Sequence, residues 1–160
     1  MLVSDTSIPV FTAGRSPKVG KVIQERLLPQ YDITYLALSV EEVKESLPRI
    51  LRGEYVTPSS GIGSNIDRPA DAQRFPKLLV VGGGFSAEDY EDMKNSIDLT
   101  AGGTLSGDQV PVWIERNVPS GPVTKPITLP SGDFHPEFID VIIGSAKARL
   151  DEAAREKGLI

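Results

Sequence analysis

The chain has no cysteine among its 160 residues, one histidine and one tryptophan. Without thiols there is no disulfide framework, no thiol nucleophile and no zinc cluster of the thiolate kind. Such an absence also suits the cytosol. The single histidine, His135, is the only side chain that titrates near neutral pH unperturbed, and no serine or aspartate stands at a spacing that assigns it a catalytic partner. Long apolar runs are missing as well: nothing approaches the ~18 residues a bilayer crossing needs. The opening Met1-Leu-Val-Ser-Asp-Thr-Ser7 lacks the basic region and apolar core of a secretory signal, so a cytoplasmic protein is expected. Positive charge is in deficit, with 17 Lys and Arg against 22 Asp and Glu and a net charge of −5. That balance argues against nucleic acid and anionic membrane as partners. Asp5, Asp67, Asp71 and Asp108 fall in loop-like segments without metal-ligand spacing, and no metal is expected.

The length suits one domain spanning 1–160 with a core of its own. Residues 8–13 read as a strand, and Val19, Val22, Ile23 and Leu27 then fall at helical spacing after Pro17 until Pro29. Residues 31–38 form a second strand, nearly all apolar after Thr34, as in a parallel strand covered on both faces. Ser39-Val-Glu-Glu42 is a capping pattern for a second helix, with Val40, Val43 and Leu47 inward and Pro48 breaking or kinking it. Residues 53–76 lose all periodicity, and three readings stay open for them: a mobile lid, an interaction loop, or a disordered surface insertion.

Periodic order returns with a buried strand from Lys77 that ends in Gly82-Gly-Gly84. Ser86-Ala-Glu-Asp89 caps a third helix, and 110–114 form a fourth strand, with Trp113 in the core and Pro111 marking a sheet edge. A Pro- and Gly-rich loop covers 117–134, where Asp133 is read as a helix cap. The last helix starts at Pro136, carries Ile139, Ile143, Ala146, Leu150 and Ala153 inward, and stops at Gly158. Strands alternating with helices predict a three-layer α/β fold, Rossmann- or flavodoxin-like, with four mainly parallel strands in the order 2-1-3-4.

In such sheets a ligand sits beyond the carboxyl ends of the strands, where the strand order reverses. The turns there are residues 13–18 and 82–86, both glycine-containing and both leading into a helix. The helix after Gly84 opens with Glu88, Asp89, Glu91 and Asp92, which complement its own dipole and repel an anion. The first helix instead has Arg15, Lys18 and Lys21 at its positive end, where a bound phosphate or carboxylate would turn three unfavourable charges into favourable ones. The candidate anion site is therefore Gly14, Arg15, Ser16, Lys18 and Gly20, with Gly82, Gly83 and Gly84 beside it.

The run Ala13-Gly-Arg-Ser-Pro-Lys-Val-Gly20, continued by Lys-Val-Ile-Gln-Glu-Arg-Leu, resembles the opening of the short-chain dehydrogenase/reductase family of Rossmann-like NAD(P)-binding proteins. Gly14 matches the first glycine of that family's motif and Gly20 the last, while Lys18 stands in place of the middle one. The likeness covers about the first 40 residues. It implies a bound dinucleotide, and Ser39 at the end of the second strand, with Arg15 nearby, suits the 2′-phosphate of NADP. The family's Tyr-x-x-x-Lys pattern occurs as Tyr90-Glu-Asp-Met-Lys94, one turn into the third helix, where an inward-packed tyrosine is the competing reading.

The segment Leu78-Leu-Val-Val-Gly-Gly-Gly-Phe-Ser-Ala-Glu-Asp-Tyr90 also resembles small fungal proteins described as Rossmann-like. Two functions are expected from all this. The first is binding of a phosphate-bearing nucleotide such as NADP(H), with the reaction left open. The second is a degenerate, non-catalytic Rossmann-like protein acting through a partner or a homodimer, since Phe138, Ile139, Val141, Ile142 and Ile143 cover more than one face of the last helix.

Overall fold

The computed structural model describes residues 6–82, 84–117 and 136–160. The chain runs β1 (Ile8–Ala13), α1 (Pro17–Leu27), β2 (Tyr31–Ala37), α2 (Val40–Leu51), β3 (Leu78–Gly82), α3 (Ala87–Ser96), β4 (Val112–Asn117) and α4 (Pro136–Glu156). The four strands are parallel and lie in the order β2-β1-β3-β4, as the sequence predicts. Their apolar composition follows from burial on both faces, because parallel strands need crossovers and the crossovers cover them.

One face of the sheet packs on α2 and α3, through Phe11, Ala13, Tyr35, Leu79 and Val81 against Val43, Leu47, Tyr90 and Met93. The other packs on α1 and α4, through Val10, Tyr31, Ile33, Leu78 and Val80 against Leu27, Leu150 and Ala154. In β2 the residues 31 and 33 face one layer while 35 and 37 face the other. Strict alternation forbids that. The register slips by one residue between Val10/Phe11 and their partners Ile33 and Tyr35, so Thr34 is the extra residue of a bulge and its hydroxyl donates to the Val10 carbonyl at 3.2 Å. Beyond the bulge, Phe11 and Tyr35 stack with ring centroids 5.1 Å apart.

Three expectations change. Pro48 does not end α2, which continues to Leu51 with the Arg52 amide donating to the Pro48 carbonyl at 3.2 Å, because Leu47 and Leu51 bury their side chains and hold the last turn. The fourth strand begins at Val112, after Pro111 rather than at Val110, since residues 107–109 form a short 3-10 turn that delivers the chain to the sheet. Residues 53–76 are not a structureless excursion: they follow the outer edge of β2, with 3-10 turns at Ser64–Asp67 and Ala70–Ala72. The Leu36 amide donates to the Ile62 carbonyl at 3.0 Å, and the Ser60 hydroxyl donates to the Leu36 carbonyl at 2.8 Å. Gly63, at φ 152°, presses so closely on the Thr34 carbonyl that a Cβ there would overlap it. No described helix is long and apolar enough to cross a membrane.

Candidate functional site

The strand order reverses between β1 and β3, so the turns 13–18 and 82–86 emerge side by side at the carboxyl end of the sheet. They abut backbone to backbone. A Cβ on Gly82 would lie 3.0 Å from the Ala13 carbonyl oxygen and 3.6 Å from the Gly14 Cα. Gly14 continues the ladder, its amide donating to the Ala37 carbonyl at 2.9 Å.

Arg15 bridges the two turns. Its Nε donates to the Gly84 carbonyl at 2.9 Å, its Nη2 reaches the Asp89 carboxylate at 3.5 Å, and its guanidinium carbon lies 4.4 Å from the centre of the Phe85 ring. Phe85 is buried, so the stack fixes the guanidinium plane. The Arg15 side chain is nevertheless 50% exposed, and Nη1 has no partner among the described residues. Gly84 gives this arm room, as a Cβ there would sit 3.3 Å from the Arg15 Cγ.

Ser16 is the N-cap of α1, its hydroxyl accepting from the Val19 amide at 3.3 Å, with Pro17 following in the first turn. No acid stands in that first turn, and Lys18 and Lys21 are exposed there. Gly20 serves packing: a Cβ would overlap the Cδ2 of buried Leu36, so glycine lets α1 settle onto β2. At α3 the reciprocal capping box forms, Ser86 and Asp89 exchanging two bonds of 3.0 Å. The hydrogen bond from the Ser86 amide, helped by the Ser86 hydroxyl and nearby Arg15, holds the Asp89 carboxyl below its ordinary value. The two helix starts thus differ in charge, and Arg15 already has Asp89 as a distant partner.

Ser39 caps α2, its hydroxyl accepting from the Glu42 amide at 3.1 Å. The Glu42 carboxylate turns back to the end of β2 and accepts from the Leu38 amide at 3.0 Å, the Tyr35 hydroxyl at 2.8 Å, and the Ser59 amide and hydroxyl at 3.1 and 2.5 Å. Partial burial pushes the Glu42 pKa up, but the bonds from Ser59, Leu38 and Tyr35 outweigh it and hold the carboxyl below its usual value. An acidic group therefore stands near the end of β2 after all, supplied by the helix rather than by the strand.

Tyr90 and Lys94 do share one face of α3, in a packing arrangement. Tyr90 is buried edge-on against Trp113 with centroids 6.2 Å apart, and the Lys94 ammonium lies 5.1 Å from the centre of the Tyr90 ring. Gly83, His135 and Asp133 lie outside the described residues. No group of three or more His, Cys, Asp or Glu able to hold a metal occurs among the described residues.

A charge constellation away from the crevice escapes a motif reading. Asp32, in β2, is 1% exposed and pairs with Arg68 at 3.0 Å and Arg74 at 2.9 Å. Arg74 also donates to the Ser7 hydroxyl and carbonyl, both at 2.6 Å, and Arg68 to Ser64 and Asn65. The available signal was an aspartate inside an apolar strand, which has to find a cation or carry an uncompensated buried charge.

No family model matches the chain, and no solved structure matches it. A curated protein of Aspergillus oryzae (strain ATCC 42149 / RIB 40) named "Kojic acid related protein 6" is 28% identical over 153 residues, which cover 95% of this chain and 81% of the relative.

Proposed function

We propose that the protein binds a small phosphate-bearing ligand, a nucleotide such as NADP(H), at the crevice between the ends of β1 and β3. The observation that carries this reading is Arg15: a guanidinium stacked on Phe85, tied by Nε to Gly84, with Nη1 turned to no described protein acceptor. A guanidinium held in one plane loses little freedom on donating from Nη1 to a phosphate oxygen. Lys18 and Lys21 at the start of α1 add favourable charge for an anion.

Glu42 acts on the choice of nucleotide, since its charge near the end of β2 works against a 2′-phosphate there. NADPH and NADH are therefore compared side by side. The name of the Aspergillus relative adds kojic acid to the panel. Titration of the isotope-labelled chain with NADPH, NADH, ATP, inorganic phosphate and kojic acid, followed by amide NMR, tests the reading. Shifts concentrated at 14–20 and 82–86 support it; shifts elsewhere, or none with any phosphate compound, reject it.

The second reading is a non-catalytic protein acting through self-association or a partner. It is favoured by the Ser16 and Ser39 hydroxyls serving as helix caps, by Tyr90 serving as core, and by Val141 standing 46% exposed on α4. Light scattering at high concentration separates a monomer from a homodimer.

A further inference from the structure

The segment along β2 is fastened at two places by different chemistry. At the amino end of the strand, Asp32 is buried under two guanidinium groups, so residues 64–74 are tied by full ion pairs. At the carboxyl end, Glu42 holds Ser59 without any cation among the described residues. Its four donors are the Tyr35 hydroxyl, the Leu38 amide, and the amide and hydroxyl of Ser59. On either side of Ser59, Gly53 (φ 86°) and Gly61 (φ 71°) stand in open space, with nothing within 4 Å of a Cβ. Gly53, just before residues 54–63, has the backbone freedom of a hinge, and Gly61 lets that segment bend within itself.

We propose that residues 54–63 are a flap latched by the Glu42 carboxylate, which opens locally when that charge is lost while the Asp32 clamp keeps 64–74 in place. Opening uncovers the Leu36 amide and carbonyl, which the flap covers through Ile62 and Ser60. An edge strand with unpaired backbone groups is a pairing surface, so the latch decides whether β2 shows one.

The latch is made of a charge held by neutral donors, and its strength depends on that charge. The groups that face it are Tyr35 from β2, the Leu38 backbone, Ser59 from the flap, and Glu45 one turn along α2, which lies near the Tyr35 phenol. Burial keeps Tyr35 protonated well above neutral pH, and the neighbouring Glu42 reinforces this, so the phenol remains a donor. Because the Glu42 pKa is lowered by folding, its contribution is complete above the ordinary carboxylate range and is lost as pH falls through the lowered value.

Hydrogen exchange on the full chain tests the proposal at single-residue resolution. In Glu42→Gln at neutral pH, the amides of Leu36 and Ser59 should exchange about ten-fold faster or more, as expected for the loss of hydrogen bonds to a charged acceptor. Those of Arg68 and Arg74, which both pair with Asn65 inside the clamped half, should keep their wild-type rates. Equal acceleration of both groups would mean one cooperative segment and overturn the proposal, and so would no change at Leu36 and Ser59. If the variant does not fold, the wild-type chain carries the test. On acidification, after correction for intrinsic exchange, Leu36 and Ser59 should lose protection before Arg68 and Arg74, and simultaneous loss would overturn the proposal.

Discussion

Replacing Asp32 with asparagine keeps the volume of the side chain and removes the charge that holds Arg68 and Arg74. The size of the loss follows from burial. Exposed ion pairs contribute up to ~1 kcal/mol, whereas removing one partner of a buried pair costs about 3–5 kcal/mol, because the other charge stays behind without compensation. Asp32 is 1% exposed and its two arginines 19% and 21%, so the carboxylate is inside while the cations keep some water. The lower end applies, about 3 kcal/mol. At 160 residues each kcal/mol moves the melting temperature by about 2–4 °C, so Asp32→Asn should melt about 6–12 °C below the wild type. Urea unfolding followed by circular dichroism gives the free energy directly and should keep the wild-type slope. Combined with Arg68→Met, the cycle should show coupling above ~1 kcal/mol, as contacting charges do. A loss below about 1 kcal/mol without coupling would refute the account of the clamp, since the pair would then behave as a surface pair.

Gly20→Ala places a methyl against the Cδ2 of Leu36, which is 1% exposed and has little space to yield. Overpacking of this kind costs about 1–3 kcal/mol, so the melting temperature should fall while the ligand-induced shift, measured from the variant's own baseline, stays as in the wild type. Asp151 accepts from the Tyr31 hydroxyl at 2.5 Å and from Lys147 at 3.0 Å. Burial raises its pKa, but these bonds outweigh it, so the folded-state pKa lies below the ordinary value. The stabilisation is therefore present above the ordinary carboxylate range and is lost as pH falls through the lowered value. The difference in urea midpoint between wild type and Asp151→Asn should accordingly shrink on acidification.

Local chemistry accounts for most of what was readable in advance. Continuous apolar strands marked a parallel sheet, Pro17 and Pro136 marked helix starts, and Ser39 and Ser86 marked caps, because each of those signals acts within a few residues. The order β2-β1-β3-β4 matches the arrangement assumed for alternating strands and helices, which no local signal marks. What stayed hidden depends on distant partners. The path of residues 53–76 is set by Asp32 and Glu42, which reach loop residues 17 to 42 positions away, and no window of composition carries that information. The same holds for Arg15, whose bond to Gly84 spans 69 positions. Pro48 was misleading for a related reason: burial of Leu47 and Leu51 outweighs the local preference of proline to end a helix.

The most direct measurement on the site is a thermal shift series in which wild type, Arg15→Met and Lys18→Glu are each melted with and without NADPH, NADH, ATP and inorganic phosphate. A ligand at ~100 times its dissociation constant stabilises by about 2.7 kcal/mol, which at this length is a rise of about 5–11 °C. At least one phosphate compound should produce such a rise in the wild type, Arg15→Met should lose most of it, and Lys18→Glu should show a smaller one. A wild type that melts at one temperature throughout, or an Arg15→Met variant that responds as the wild type does, would contradict a phosphate site at Arg15.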